Sequence, residues 1–379
     1  MADKRQKRKA LSGRFAVFFT ILLFVCTIIF LNNQFSSSSL RRISYWIFNG
    51  VRGDATEVAM SFDANEYNRF TLLNGNLSIV SPEKISVYKL SGASTLSEPV
   101  ILRFPAVENS KSRFIAYDLG GVNYYVANNK KVLFSELTDS PILNANMNKS
   151  GDFALITDAE DCKTSVTVFN SEFKPIYKFH SSEKYIFDTS VSPNGKFIAI
   201  ASYGTEDGAF STSLLLGKVT ESSFYKTVSL GDSMPLKIFH HTDNKIAVIC
   251  NDKTLLFDND GNLLSEVPYN ELPVKSFDYV YGGHIAILLD NYQNGGNTKL
   301  LAINPNGENF SVDIDEDVYS LSCAGKYTCI QLTDKCICYK DDLKPHNEFS
   351  IPASVTKCIV NADGAVLSLG DNFGTLYID

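Results

Sequence analysis

The chain reads as an all-β propeller of eight four-stranded blades preceded by one membrane-spanning helix. Three observations lead there: a polar turn recurring about every 40 residues, apolar strands following each turn, and a 17-residue uncharged stretch near the N-terminus. A repeat of roughly 40–45 residues is the size of one four-stranded blade.

The apolar stretch comes first. Phe15 to Leu31 carries no charge. As a helix rising about 1.5 Å per residue it is roughly 25 Å long, near the lower limit for a bilayer core. Residues 1–14 carry a net +5, with Lys4, Arg5, Lys7, Arg8, Lys9 and Arg14 against Asp3. Such a cationic flank stays in the cytoplasm, so the remainder is expected outside. A cleaved signal peptide is the alternative. It needs a shorter apolar core and a small-residue cut site, which Ser36 to Ser39 offer. Tyr45 and Trp46 beside Arg41 and Arg42 suit a headgroup region, which favours an uncleaved anchor. The expected organisation is a cytoplasmic tail over 1–14, a membrane helix over 15–31, a linker over 32–53 and a propeller over 54–379. If unstructured, the linker reaches about 25 Å.

Composition fits this reading. Tyr and Phe number 18 and 26 against 4 Met, a bias toward side chains that pack on a pleated surface. The net charge is −7; with +5 in the tail and +3 in the linker, the propeller carries −15. An acidic domain is repelled by phosphate backbones, so no nucleic-acid partner is expected.

The blades are marked by their turns. Ser192-Pro193-Asn194-Gly195-Lys196 leads into Phe197-Ile198-Ala199-Ile200, and Asn148-Lys149-Ser150-Gly151-Asp152 into Phe153-Ala154-Leu155-Ile156. Asn361-Ala362-Asp363-Gly364 leads into Ala365-Val366-Leu367. Equivalent steps fall at Asn76, Ser112, Lys245, His284 and Lys326. The eight turn residues, 76, 112, 152, 196, 245, 284, 326 and 365, are separated by 36, 40, 44, 49, 39, 42 and 39 positions. Gly and Asn recur because tight turns need positive φ. The first two turns are the faintest, which leaves seven blades as an alternative. The last unit lacks a fourth strand, whereas Thr56 to Phe62 belongs to no complete blade. Pairing the two closes the ring and removes exposed strand edges.

The turn pattern, the N-terminal helix and the run Tyr117-Asp118-Leu119-Gly120-Gly121 resemble an uncharacterised clostridial-type group of membrane-anchored propellers, a domain of unknown function. More distantly the chain resembles WD-repeat and quinoprotein-repeat propellers. The Trp-Asp dipeptide of WD repeats is absent, since the only tryptophan is Trp46. The resemblance implies a fold and carries no catalytic residue.

Chemistry-bearing residues are sparse. Asp258, Asp260 and Asn262 have the first spacing of a calcium loop, but Leu263 and Tyr269 stand where Gly and an acid are needed. A turn between two strands is the expectation there. His180, His240, His241, His284 and His346 show no metal-ligand spacing. Cys323, Cys329, Cys336 and Cys338 cluster in one unit. With Thr333-Asp334 as a two-residue hairpin turn, Leu332 faces Lys335 and Cys329 faces Cys338. A cross-strand disulfide is one outcome there, and buried free thiols are the favoured one. So many thiols outside the cell suit a reducing habitat. Asn76, Asn148 and Asn309 head glycosylation-type triplets, which in a bacterium are chance matches.

No catalytic site, metal or cofactor is therefore assigned. The function expected is a non-enzymatic binding or scaffold domain presented to an envelope protein or cell-wall component. The alternatives are a channel-sited hydrolase or lyase on glycans or peptides, and a small-ligand sensor. Acids and histidines at the channel mouth would favour the enzyme, and an apolar or aromatic patch the platform.

Overall fold

The computed structural model describes residues 59–291 and 297–378, together with Thr20. The predicted anchor over 15–31 otherwise lies outside the described residues, as do the tail and the linker. Among the described residues, no helix is long and apolar enough to cross a membrane. The chain divides into two units, and the propeller belongs to the unit Thr56–Tyr377.

Thirty-two strands, numbered in chain order, form eight sheets of four among the described residues. The first strand of each blade lines the channel. These inner strands are β2 (Arg69–Leu73), β6 (Pro105–Asn109), β10 (Ile142–Met147), β14 (Tyr185–Val191), β18 (Pro235–Thr242), β22 (Val274–Tyr279), β26 (Ser320–Ala324) and β30 (Lys357–Val360). Every predicted marker turn joins an inner strand to the second strand of its blade. The two faint turns are real, and eight blades result. The second of them is faint because its Ser110-Lys111-Ser112-Arg113 turn lacks the Gly found in the turns at Gly151, Gly195 and Gly364. The Ser110 hydroxyl still accepts from Arg113 N at 3.2 Å, as Asn148 Oδ1 does from Asp152 N at 2.9 Å.

The predicted closing strand exists as β1 (Ala59–Ser61). It pairs antiparallel with β32 (Phe373–Tyr377), Ala59 opposite Thr375 and Ser61 opposite Phe373. Phe62 N adds a bond to Asn372 O at 3.0 Å. Met60 and Phe62 are buried, so the short strand also supplies apolar packing.

Second strands are buried on both faces, as in Phe114–Asp118 and Tyr327–Gln331. That is why the residues after each turn read as continuous apolar runs rather than alternating ones. The core is a series of inter-blade layers. In one of them Leu214 and Leu216 pack with Ile238, Ile246 and Val248 of the next blade.

Strand direction defines two ends. The marker turns lie at one end, called here the rear face. The connections between blades and the second-to-third-strand turns lie at the other, the front face. On the front face the hairpin of β15 (Phe197–Glu206) and β16 (Ala209–Lys218) extends over ten residues per strand, longer than the second-strand hairpins of the other blades.

Candidate functional site

Each inner strand is a sheet edge, so its channel-side amides have no strand partner. An unpaired buried N–H is costly. Polar side chains from the preceding blade satisfy these groups. Asp188 accepts from Ile238 N at 2.9 Å, and Asp278 from Cys323 N at 2.7 Å. Ser190 Oγ accepts from His240 N at 2.8 Å, and Ser320 Oγ from Cys358 N at 3.0 Å.

The channel is filled by charge at mid-height. Lys237 on β18 reaches Glu108 on β6, three blades away, with Nζ 2.9 Å from Oε1. The same ammonium lies 3.7 Å from Asp188 Oδ2. Asn144 Nδ2 donates to Asp188 Oδ1 at 3.2 Å. Two carboxylates hold Lys237 well above the usual lysine range, against the effect of its own burial. Burial pushes Asp188 up to about 6, although Lys237 and two backbone amides oppose that shift. The two directions agree physically, because one cation is shared by two acids and Asp188 is the more deeply buried acid. Burial likewise raises Asp278 to about 6. Toward the rear, Tyr281 donates its hydroxyl to Met147 O at 3.0 Å, again across three blades. Tyr279 stacks on Phe239 with centroids 3.8 Å apart.

A fixed sequence signal marks this layer. Asn144, Asp188, Lys237 and Ser276 each stand eight positions before their blade's turn residue and follow an irregularity in the inner strand. Asn68 and Lys357 share the offset. A polar residue recurring at one position of an apolar strand could have revealed the channel lining.

In front of this layer a cavity of about 740 Å³ opens at the channel mouth, bordered by Asn65, Glu66, Arg69, Val107, Lys357 and Asp371. Among the described residues, Arg69 and Lys357 make no ion pair within 4 Å. Burial and the neighbouring Arg69 charge lower Lys357, while Asp278 partly offsets them.

Around the mouth, the front face carries exposed apolar side chains: Tyr67, Ile101, Phe104, Leu119, Tyr185, Phe210 and Tyr319. Ile101 is 74% and Tyr319 60% exposed, which no intramolecular packing explains. Tyr67 meets Phe104 edge to face at 6.1 Å, with the Arg103 guanidinium 5.3 Å from the Phe104 ring. Tyr185 stacks on Tyr203 at 5.5 Å, under the Lys163 ammonium 5.0 Å from the Tyr185 ring.

The residues singled out from sequence fall elsewhere. Asp258 spends its carboxylate on Asn262, accepting from N at 2.8 Å and from Nδ2 at 2.9 Å, so the run is a turn. His240 and His241 lie toward the rear end of β18, and burial lowers them to about 3 and about 4, leaving both neutral. His284 Nε2 lies 2.6 Å from Thr328 Oγ1 across a blade seam, and His180 Nδ1 lies 3.8 Å from Cys162 Sγ. Asn148 is buried, its amide bonded to Asp152 Oδ2 and Ser192 O. Leu332 does face Lys335, and Cys329 does face Cys338. The seven described cysteines are all free thiols.

The fold and this site define an eight-bladed β-propeller with a filled channel and an apolar front rim. The chain belongs to a family of unknown function (DUF5711), whose pattern matches residues 53–367. Comparison with curated proteins gives no match. Among solved structures it is similar to the C-terminal WD40 domain of Sif2, with TM-score 0.58, 10% identity, and 84% of this chain and 98% of that one covered. It is also similar to the WD40 domain of SCAP from fission yeast, with TM-score 0.55, 11% identity, and 84% and 96% covered. At such identity the likeness is one of fold.

Proposed function

We propose that this protein is a membrane-anchored, extracytoplasmic binding platform without catalytic activity of its own. Its front face takes an envelope protein or cell-wall component in a clostridial-type envelope. The apolar rim of Ile101, Phe104, Tyr185 and Tyr319 carries the reading, since large apolar side chains exposed together on one face of a rigid ring are the ordinary makings of an interface. The channel supports it: the acids with raised pKa spend their oxygens on Lys237 and backbone amides, and the neighbouring histidines lie toward the rear. The cationic head before Phe15 supports the anchor and its orientation.

Crosslinking in intact cells through a photoreactive residue at Ile101, followed by purification, tests this. Recovery of a defined envelope component is expected. Turnover of a glycan or peptide by the purified protein, with no crosslinked partner, would overturn it. A small-ligand sensor is the second reading, favoured by the cavity beside Arg69 and Lys357. An anionic ligand whose binding is lost in Lys357→Met would support that reading instead.

A further inference from the structure

The seam between the seventh and eighth blades is lined with sulfur. β27 (Tyr327–Gln331) and β28 (Lys335–Lys340) form a hairpin in which Leu332 N donates to Lys335 O at 2.8 Å. Hydrogen-bonded and non-hydrogen-bonded pairs alternate from that bond, which puts Cys329 and Cys338 at a non-hydrogen-bonded position. Cα atoms there stand about 4.5 Å apart, within disulfide range. Cys336, two residues from Cys338, shares the face. That face meets blade 8, where Cys358 lies on β30. All four thiols are at most 1% exposed and belong to one buried cluster with Ile351 and Val355.

The register sets Cys329 opposite Cys338, and Cys336 and Cys358 belong to the same buried cluster across the seam. With Cys329 and Cys338 paired across the hairpin, Cys336 and Cys358 are the two thiols of the cluster left to join. We infer that the cluster is an oxidative modification site that takes up two disulfides, Cys329–Cys338 within blade 7 and Cys336–Cys358 between blades 7 and 8. This inference does not depend on the proposed binding function.

The oxidant is a disulfide, whether of an oxidoreductase or of a small molecule. Cys336 attacks as thiolate; the neighbouring Cys329 and Cys358 thiols hold it below the usual range, while those two are themselves pushed up. A mixed disulfide forms and one thiolate leaves. Cys358 gives up its proton to the departing thiolate and attacks the Cys336 sulfur, expelling the second. Each pair thus loses two electrons and two protons, and one external disulfide becomes two thiols. Cys329 and Cys338 repeat the sequence. Entry requires the seam to part, and blade 8 is the blade completed by the three-residue β1, the kind of short element that opens locally. Among the described residues, no group of His, Cys, Asp or Glu is arranged to hold a metal ion.

The test uses the full chain, reduced and then held in oxidised glutathione a few degrees below its unfolding transition. Thiols counted after denaturation without reductant should fall from eight to about four, and peptide mapping should recover the two named links. Cys162, Cys250 and Cys323 should remain thiols. Cys358→Ser should lose one link and keep Cys329–Cys338. Eight surviving thiols would overturn the inference. So would a Cys329–Cys336 link, or zinc binding that protects the four thiols without any disulfide.

Discussion

Lys237 Nζ lies 2.9 Å from Glu108 Oε1, although 129 residues separate the two in sequence. The bond reaches across the channel from blade 5 to blade 2 and ties opposite parts of the ring together. Removing the cation leaves Glu108 and Asp188 without their countercharge. Lys237→Met should therefore cost about 3–5 kcal/mol of stability, the range for breaking a buried pair from one side. Urea denaturation measures this. The double change Lys237→Met with Glu108→Gln should recover part of the loss, and failure of both variants to differ from the parent would refute the lock.

A pH dependence follows from Asp188 and Asp278, both raised by burial to about 6 from the ordinary aspartate value of 3.8. Between these values the folded chain binds protons that the unfolded chain has released. The contribution of these two aspartates to stability should accordingly fall as pH rises from about 4 to 6, while His240, His241 and His284, lowered by burial, contribute in the opposite sense up to about 6.5. Asp63, Asp258 and Asp342 are shifted the other way, so their contributions change below about 4. Urea midpoints of the parent and of Asp188→Asn across pH 4–7 isolate the aspartate: the parent's stability relative to the variant should fall from pH 4 to 6, and a relative rise would contradict the sign.

Deleting residues 54–63 should unpair the edge of blade 8. The loss of buried Met60 and Phe62 amounts to roughly 3–6 kcal/mol, or a drop of roughly 5–10 °C in melting temperature for a domain this size. An unchanged melting curve would argue against β1 as the closing strand.

The front rim should be separable from folding. Phe104→Ala and Tyr319→Ala should each weaken partner capture about tenfold or more, as anchors of an interface do. Phe104 is 44% and Tyr319 60% exposed, so the melting temperature should change little. Loss of capture accompanied by equal loss of stability would point to a structural role instead.

Much of this architecture was legible because its causes are local. The Ser-Pro-Asn-Gly-Lys turn and its relatives announce themselves through positive φ, as at Gly195 (71°) and Gly151 (90°). The Cys329–Cys338 register follows from one two-residue turn, and β1 from a strand left over at one end and missing at the other. The channel lock was not legible, because Lys237, Glu108 and Asp188 come from three blades and meet only when the ring is closed. Cys358 joined the thiol cluster for the same reason. The exposed rim is scattered over loops, and no periodicity distinguishes Ile101 or Tyr319 from a core residue.

The pairing of Ala59 with Thr375 has a consequence for synthesis. Of the thirty-two described strands, the one that completes blade 8 leaves the ribosome first and its partner β32 last. Until then blades 1 to 7 can assemble on their own local contacts, but the nascent chain keeps an open edge at either end. Joining segments more than 300 residues apart is slow because chain entropy opposes it. The last event in maturation is thus expected to be a docking of beginning to end, and a chain cut short before Phe373 would keep two sticky edges for quality-control proteases to find.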